Sequence, residues 1–419
     1  MTGYVARHVD AHLDDLLGGL PALMLTGPRG CGKTTTAERR AAAVIRLDDD
    51  EQALAFQGDP ESMLLAARCP VLIDEWQQVP GALSAVKRIV DKRHGPAQFL
   101  ITGSVRSRLM KGAWPATGRV VPVRMWGMTE AELSGHPETT LDWLWHPESL
   151  AVGSFDSAPT VLGYAEALVA GGFPEARGLA PRHRAAWYEG YVDHMIHRDV
   201  APLADVRTPL SLGRLLTAVG INTAGLPSVA TLAEAARIDQ RTAAAYLDTL
   251  EDLRLIQRVQ PWFRNPMTQM VKTPKYYVTD AGLAAYLNRA DQGTLIANGT
   301  LLGRLIDTFV AAQLRPLLDL ATPRIELCHL RSIDGRREVD LVLDAGERGL
   351  VGIEVKAAAA VSAADARHLA WLRDQIAGEF AAGYVLHTGR LTHSLGDKLW
   401  AVPIAALWQP GGARGAAMM

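Results

Sequence analysis

The chain reads as an α/β protein of several parts, with a parallel-sheet domain first and a second strand-rich domain last. Three observations predict this. A glycine-rich loop stands between a short apolar strand and a helix near residue 30. A second apolar strand, Val71–Ile73, runs into the acid pair Asp74 and Glu75. A late pair of alternating strands, EVDLVLD and LVGIEVK, carries acids on facing positions. At 419 residues and 48% hydrophobic content the chain can fill more than one core.

The loop, TGPRGCGKTTT, fits G-x-x-x-x-G-K-T from Gly27 to Thr34. Its glycines let successive backbone N–H groups turn inward toward phosphate oxygens. Gly27, Pro28, Arg29, Gly30, Cys31, Gly32, Lys33, Thr34 and Thr35 are therefore the expected nucleotide-binding residues. Lys33 reaches the β- and γ-phosphates, and the Thr34 hydroxyl is an Mg²⁺ ligand. PALMLT enters the loop as a strand; Lys33 to Val44 leaves it as a helix whose N-terminus faces the phosphates. Tyr4 to Leu17 has helical spacing and reads as a lead-in helix. ATP and Mg²⁺ are the expected cofactors.

Asp74 and Glu75 end a buried strand, where open α/β sheets bind ligands. Asp74 is the expected metal carboxylate, and Glu75 the group that polarises the attacking water. QFLITGS is a third buried strand, whose Thr102 or Ser104 reads the γ-phosphate. Arg106, Arg108, Arg119 and Arg124 follow. Arg119 is the first choice for an arginine finger, in cis or toward a neighbouring copy.

GPRGCGKTT, LIDEWQQVP, ITGS and GRVVPVRMWGMTEAEL together resemble a bacterial and archaeal ATPase family. That family joins an AAA-type P-loop domain to a C-terminal domain long catalogued as of unknown function. Arg7, GGFPEA, HRDV and PKYYVTDAGLAAYL fit the resemblance, which spans nearly the whole chain; Gly127 stands where relatives usually carry proline.

The resulting division is an AAA-like domain over 1–142, a helical connector over 143–225, a winged helix over 226–290, a nuclease-like domain over 291–410 and a disordered tail over 411–419. In the winged helix, Thr231 caps one helix, Thr242 to Leu253 forms the second, and LIQRV and TPKYYVTD form the hairpin. The second helix is the one expected in a DNA major groove. Arg237, Arg241, Arg258 and Lys272 are the expected DNA contacts, with Arg254, Arg264 and Lys275 as further phosphate contacts. Asp248, Glu251 and Asp252 on the same helix leave protein docking open as an alternative.

Asp340, thirteen residues, then Glu354, Val355 and Lys356 fits D-x(n)-E-x-K, and the hairpin resembles the PD-(D/E)xK nuclease fold. The resemblance implies that Asp340, Glu354 and the helix acid Asp307 bind Mg²⁺, with Lys356 as a catalytic lysine. Many members of that superfamily bind without cutting.

A net charge of −2 does not mark a nucleic-acid binder, nor exclude one with a local basic face. Cys31, Cys69 and Cys328 form no metal pattern, which fits a reduced cytoplasm. There is no leader and no apolar run of about 18 residues, so a membrane partner is not expected. The leading expectation is an Mg²⁺-dependent ATPase acting on branched or broken DNA, with a homo-oligomer and a protein partner at the winged helix as open alternatives. The alternative is an ATP-sensing regulator or scaffold of the defence or toxin–antitoxin kind, whose winged helix docks protein and whose nuclease-like domain is inactive.

Overall fold

The computed structural model describes residues 3–103, 118–200, 208–263 and 271–409, with the side chains of 198–200 left aside. Ser104, Arg106, Arg108 and Arg264, the side chains of Arg198 and Asp199, and the expected tail 411–419 lie outside the described residues.

The N-terminal part is a five-stranded parallel sheet. Its strands are β1 (Ala22–Thr26), β2 (Ala43–Arg46), β3 (Val71–Asp74), β4 (Phe99–Gly103) and β5 (Val121–Arg124), in the order β2-β3-β4-β1-β5. Their apolar runs are continuous because both faces are covered. Met24, Ile73 and Ile101 pack with Val86 and Ile89 on one side. Leu23, Leu25, Leu72 and Leu100 pack with Leu13 and Leu17 on the other. Parallel polarity brings the C-terminal ends of β1, β3 and β4 to one edge, and there the phosphate loop, Asp74 and Thr102 meet.

The lead-in helix starts later than its periodicity predicts. It runs Val9–Gly19, because Tyr4 and Arg7 are spent on its first turn: the Tyr4 hydroxyl and the Arg7 backbone N–H both donate to Asp10, at 2.8 and 2.7 Å. The helix after the phosphate loop is shorter than expected, Lys33–Glu38.

Beyond the first sheet, helices Val161–Ala170, Pro181–His194 and Pro209–Ile221 lead to a helix pair, Val229–Ala236 and Gln240–Asp252. The cap of the first is Ser228 rather than Thr231: its side chain accepts the Thr231 N–H at 3.0 Å. An antiparallel hairpin follows, with short strand β6 (Gly153–Ser154) earlier in the chain and β7 (Ile256–Pro261) and β8 (Lys275–Val278) as the hairpin.

This hairpin continues into the C-terminal sheet. β7 pairs in parallel with β9 (Glu326–Arg331) through Gln260 and Cys328. The sheet goes on through β10 (Glu338–Asp344), β11 (Leu350–Lys356), β12 (Phe380–His387), β14 (Leu399–Pro403) and β13 (Leu391–Gly396) to β6. One apolar core runs from Ala131 to Trp408, so the expected division at 290/291 crosses a continuous sheet and a shared core. The 22-residue helix Gly299–Leu320 lies against β8 and β11. Among the described residues no helix is long and apolar enough to cross a membrane.

Candidate functional site

At the C-terminal edge of the first sheet the loop is already shaped for a polyanion. Gly30 and Gly32 have φ of 75° and 98°, a region that favours glycine. A Cβ on Gly27 would lie 2.1 Å from the Met125 carbonyl oxygen, so that position admits no side chain. The buried Lys33 ammonium donates to the carbonyls of Gly27 and Pro28 at 3.2 and 2.9 Å. It therefore curls over the loop it belongs to, held by neutral acceptors.

The Thr34 hydroxyl donates to Asp74 Oδ1 at 2.8 Å, and the Thr102 hydroxyl donates to the same oxygen. Thr34 and Asp74 are hard oxygen donors converging beside the loop, which suits Mg²⁺. Thr102 buttresses Asp74. Glu75 sits one residue on with φ 51°, a left-handed backbone conformation that is strained for a residue with a Cβ. Burial pushes the Glu75 carboxyl above its ordinary range, against the pull of Lys33 and a hydrogen bond from Gln77.

A cleft of about 550 Å³ opens from Glu75, Arg29 and Gly30 to the helix Pro181–His194. Trp187 and Tyr191 of that helix stack at 5.1 Å and 14°, and the Tyr191 hydroxyl donates to the Arg29 carbonyl at 3.1 Å. The seat of this helix on the phosphate loop is a product of tertiary packing that no local sequence signal announces.

Arg119 is corrected only as a finger in cis. β5 runs parallel to β1, so the residues before β5 lie at the edge of the sheet opposite the loop. Arg119 pairs there with Asp91 at 2.8 Å, and within one chain it does not reach the phosphates. Arg7 is an undervalued residue. Its buried guanidinium donates to the carbonyls of Cys31 and Trp126 at 2.8 and 2.7 Å and pairs with Glu132 at 3.1 Å. It braces the loop from beneath. Thr35 follows Thr34 in the first turn of the helix Lys33–Glu38.

The second constellation assembles differently from its expectation. Asp307, Asp340, Glu354 and Lys356 do come together, from the helix Gly299–Leu320, β10 and β11. Among them stands Lys275, read in the sequence as an exposed phosphate contact. It is instead wholly buried: all of β8 is covered, and the lysine projects into the acids. Its Nζ lies 2.7 Å from Asp307 Oδ2 and 3.3 Å from Asp340 Oδ1. Burial alone would push this ammonium down, but Asp307, Tyr277 and Asp340 hold it well above its usual range. Burial, then Asp340, pushes the Glu354 carboxyl up to about 8 despite Lys356 at 3.1 Å. Among the described residues no group of three or more His, Cys, Asp or Glu side chains has a metal-holding arrangement.

Of the expected DNA contacts, Arg237, Arg241 and Lys272 are exposed. Arg258 is another correction. Its guanidinium is taken by Asp248 and by Glu251, whose Oε2 accepts Nε at 2.9 Å. Arg254 lies over the Trp126 ring at 5.4 Å rather than in solvent.

Comparison with known proteins accords with this layout. Residues 20–134 match the AAA domain family. Residues 162–294 match a domain of unknown function (DUF8612) that takes in both the connector helices and the helix pair with its hairpin. Residues 302–407 match a second domain of unknown function (DUF4143). Two uncharacterized proteins, Mb2031c of Mycobacterium bovis and Rv2008c of Mycobacterium tuberculosis, are each 30% identical over 318 residues, 74% of this chain. The matched stretch spans 66% of the length of each relative. The Aeropyrum pernix ORC1 protein in complex with DNA overlaps 68% of this chain and 93% of its own at 14% identity and a TM-score of 0.27. That overlap is too slight to inform either the fold or the ligands of this chain.

Proposed function

We propose that the AAA domain of this chain binds and hydrolyses ATP, and that the helix Pro181–His194 passes its nucleotide state to the rest of the molecule. The observation that supports this most is the convergence at one sheet edge of a shaped phosphate loop, the Lys33 ammonium, the Thr34–Asp74 pair and the raised Glu75 carboxyl. Lys33 leaves its carbonyl partners for the β- and γ-phosphate oxygens, which are stronger acceptors. Backbone N–H groups of the loop from Arg29 to Thr35 hold the phosphate chain. Thr34 and Asp74 are the residues suited to Mg²⁺, which supplies charge neutralisation on the phosphates when bound. Glu75, with its basicity raised by burial, orients a water at the γ-phosphate and takes its proton. Tyr191 contacts the loop through the Arg29 carbonyl, so loop closure on nucleotide is felt at that helix.

DNA as the object of this hydrolysis rests on exposed Arg237, Arg241 and Lys272. A second reading, a nucleotide-controlled docking module for protein, is favoured by one observation: Arg258 of β7 is held by Asp248 and Glu251 of the helix Gln240–Asp252 and is spent before any phosphate arrives. The test is phosphate release from ATP by wild type and Lys33→Ala, with linear, forked and four-way DNA at two salt concentrations. Turnover lost in Lys33→Ala supports the ATPase, and unchanged turnover refutes it. Stimulation by DNA that fades with salt selects the DNA reading. Indifference to every DNA selects the docking reading.

A further inference from the structure

Two of the acids that the nuclease resemblance assigns to a metal, Asp307 and Asp340, have every carboxylate oxygen hydrogen-bonded within the chain. Asp307 and Asp340 offer four carboxylate oxygens. Asp307 Oδ2 takes the Lys275 ammonium at 2.7 Å, and Asp307 Oδ1 takes the Tyr277 hydroxyl at 2.9 Å. Asp340 Oδ1 takes Lys275 at 3.3 Å, and Asp340 Oδ2 takes the backbone N–H of Val355 at 2.9 Å. Lys275 also donates to the Asp340 carbonyl at 3.3 Å. Glu354 is half engaged: its Oε2 takes Lys356 at 3.1 Å, while its buried Oε1 accepts no hydrogen bond and has His368 Nδ1 3.4 Å away.

We propose that the Lys275 ammonium stands in the cation position of this cluster, so that the C-terminal sheet carries an internally neutralised ionic lock instead of a divalent-metal site. Mg²⁺ draws a near-octahedral shell of oxygens at about 2.0–2.1 Å. Lys275 would have to vacate that space, yet its side chain is only 1% exposed. A buried ammonium without its carboxylates is costly, so the move is opposed on both sides. Charge points the same way. Lys275 and Lys356 already face Asp307, Asp340 and Glu354, the last pushed by burial toward its neutral form, so an added divalent cation would leave a buried excess of positive charge.

The lock has a mechanical role. Lys275 belongs to β8, Asp307 to the helix Gly299–Leu320 and Asp340 to β10, so one ammonium pins the hairpin to both the helix and the sheet. This inference does not depend on the ATPase proposal, because it concerns different residues and is read without nucleotide.

Mn²⁺ binding to the full chain, followed by electron paramagnetic resonance in the absence of nucleotide, tests it. Wild type and the near-isosteric Asp340→Asn and Glu354→Gln variants are expected to bind the same number of Mn²⁺ ions. Loss of one Mn²⁺ in either variant overturns the proposal. Lys275→Ala, which empties the cation position, is expected to gain one Mn²⁺ per chain, and the double variant Lys275→Ala/Asp340→Asn to lose it again. A folded Lys275→Ala that gains none overturns the assignment of that position. Should Lys275→Ala not fold, the comparison of wild type with Asp340→Asn and Glu354→Gln decides alone.

Discussion

The phosphate loop and the carboxylate cluster each place a buried lysine beside buried acids, yet their charges are in opposite states. Lys33 is held by the carbonyls of Gly27 and Pro28, neutral groups that a phosphate outcompetes. Lys275 is held by two buried carboxylates in a dry surrounding, where Coulomb attraction is least screened. One lysine is available to a ligand and the other is consumed by the fold. A lysine's motif therefore says less about its task than whether its partners are neutral or charged.

The same truncation at the two lysines exposes that contrast most directly. Lys33→Ala is expected to lower ATP turnover at least about 100-fold, the scale of removing one donor to developing charge, while its thermal midpoint stays near wild type. Lys275→Ala is expected to do the reverse. It strands Asp307 and Asp340 without their cation, a change that costs about 3–5 kcal/mol of stability, and leaves turnover intact at temperatures where the protein is folded. Melting curves and steady-state turnover on both variants check this. If Lys275→Ala melts like wild type, the lock contributes nothing and the comparison fails.

Glu75→Gln sharpens the loop side. The amide keeps the shape and the hydrogen-bonding length of the side chain but cannot take a proton. Turnover is expected to fall about 10²-fold or more, the range for a lost general base, with nucleotide binding retained. Single-turnover hydrolysis beside equilibrium binding of a fluorescent ATP analogue separates the two. Normal hydrolysis would assign the water to another group.

How much of this was legible in the sequence follows from how far apart the partners lie. The phosphate loop is a contiguous stretch whose own backbone is the site, so TGPRGCGKTTT is sufficient to read it. VLIDE carries its strand and its acids together. The distance of Arg119 from the loop in its own chain was legible: RVVPVRM as a strand parallel to β1 puts its N-terminal end away from the loop. The capture of Arg258 was also within reach, since Glu251 and Asp248 precede it by 7 and 10 residues across one helix–strand turn. Lys275 was out of reach. TPKYYVTD reads as a strand with polar ends, and nothing local says that its lysine is buried. Its partners lie 32 and 65 residues away, joined only when β7 adds to the far side of the C-terminal sheet. The seat of Trp187 and Tyr191 on the loop is equally a product of tertiary packing.

The smallest expected effect reads the Lys275 charge from a neighbour. His329, on β9, is buried and has Nε2 3.1 Å from the Thr273 carbonyl oxygen. Burial, and then Lys275, push its imidazole down to about 4 from an ordinary 6.5. Between those values the unfolded chain binds the proton and the folded chain does not, so stability is full above pH 6.5 and declines as the pH falls toward 4. His329→Gln is expected to flatten that decline in thermal midpoints taken from pH 7 to pH 5. Lys275→Ala is expected to flatten it partly, because it removes the second cause of the depression while leaving the first. Equal slopes in wild type and His329→Gln would place the acid sensitivity elsewhere. Equal slopes in wild type and Lys275→Ala, with His329→Gln flattened, would mean that the two carboxylates already cancel the lysine's field at the imidazole, which is the lock in its tightest form.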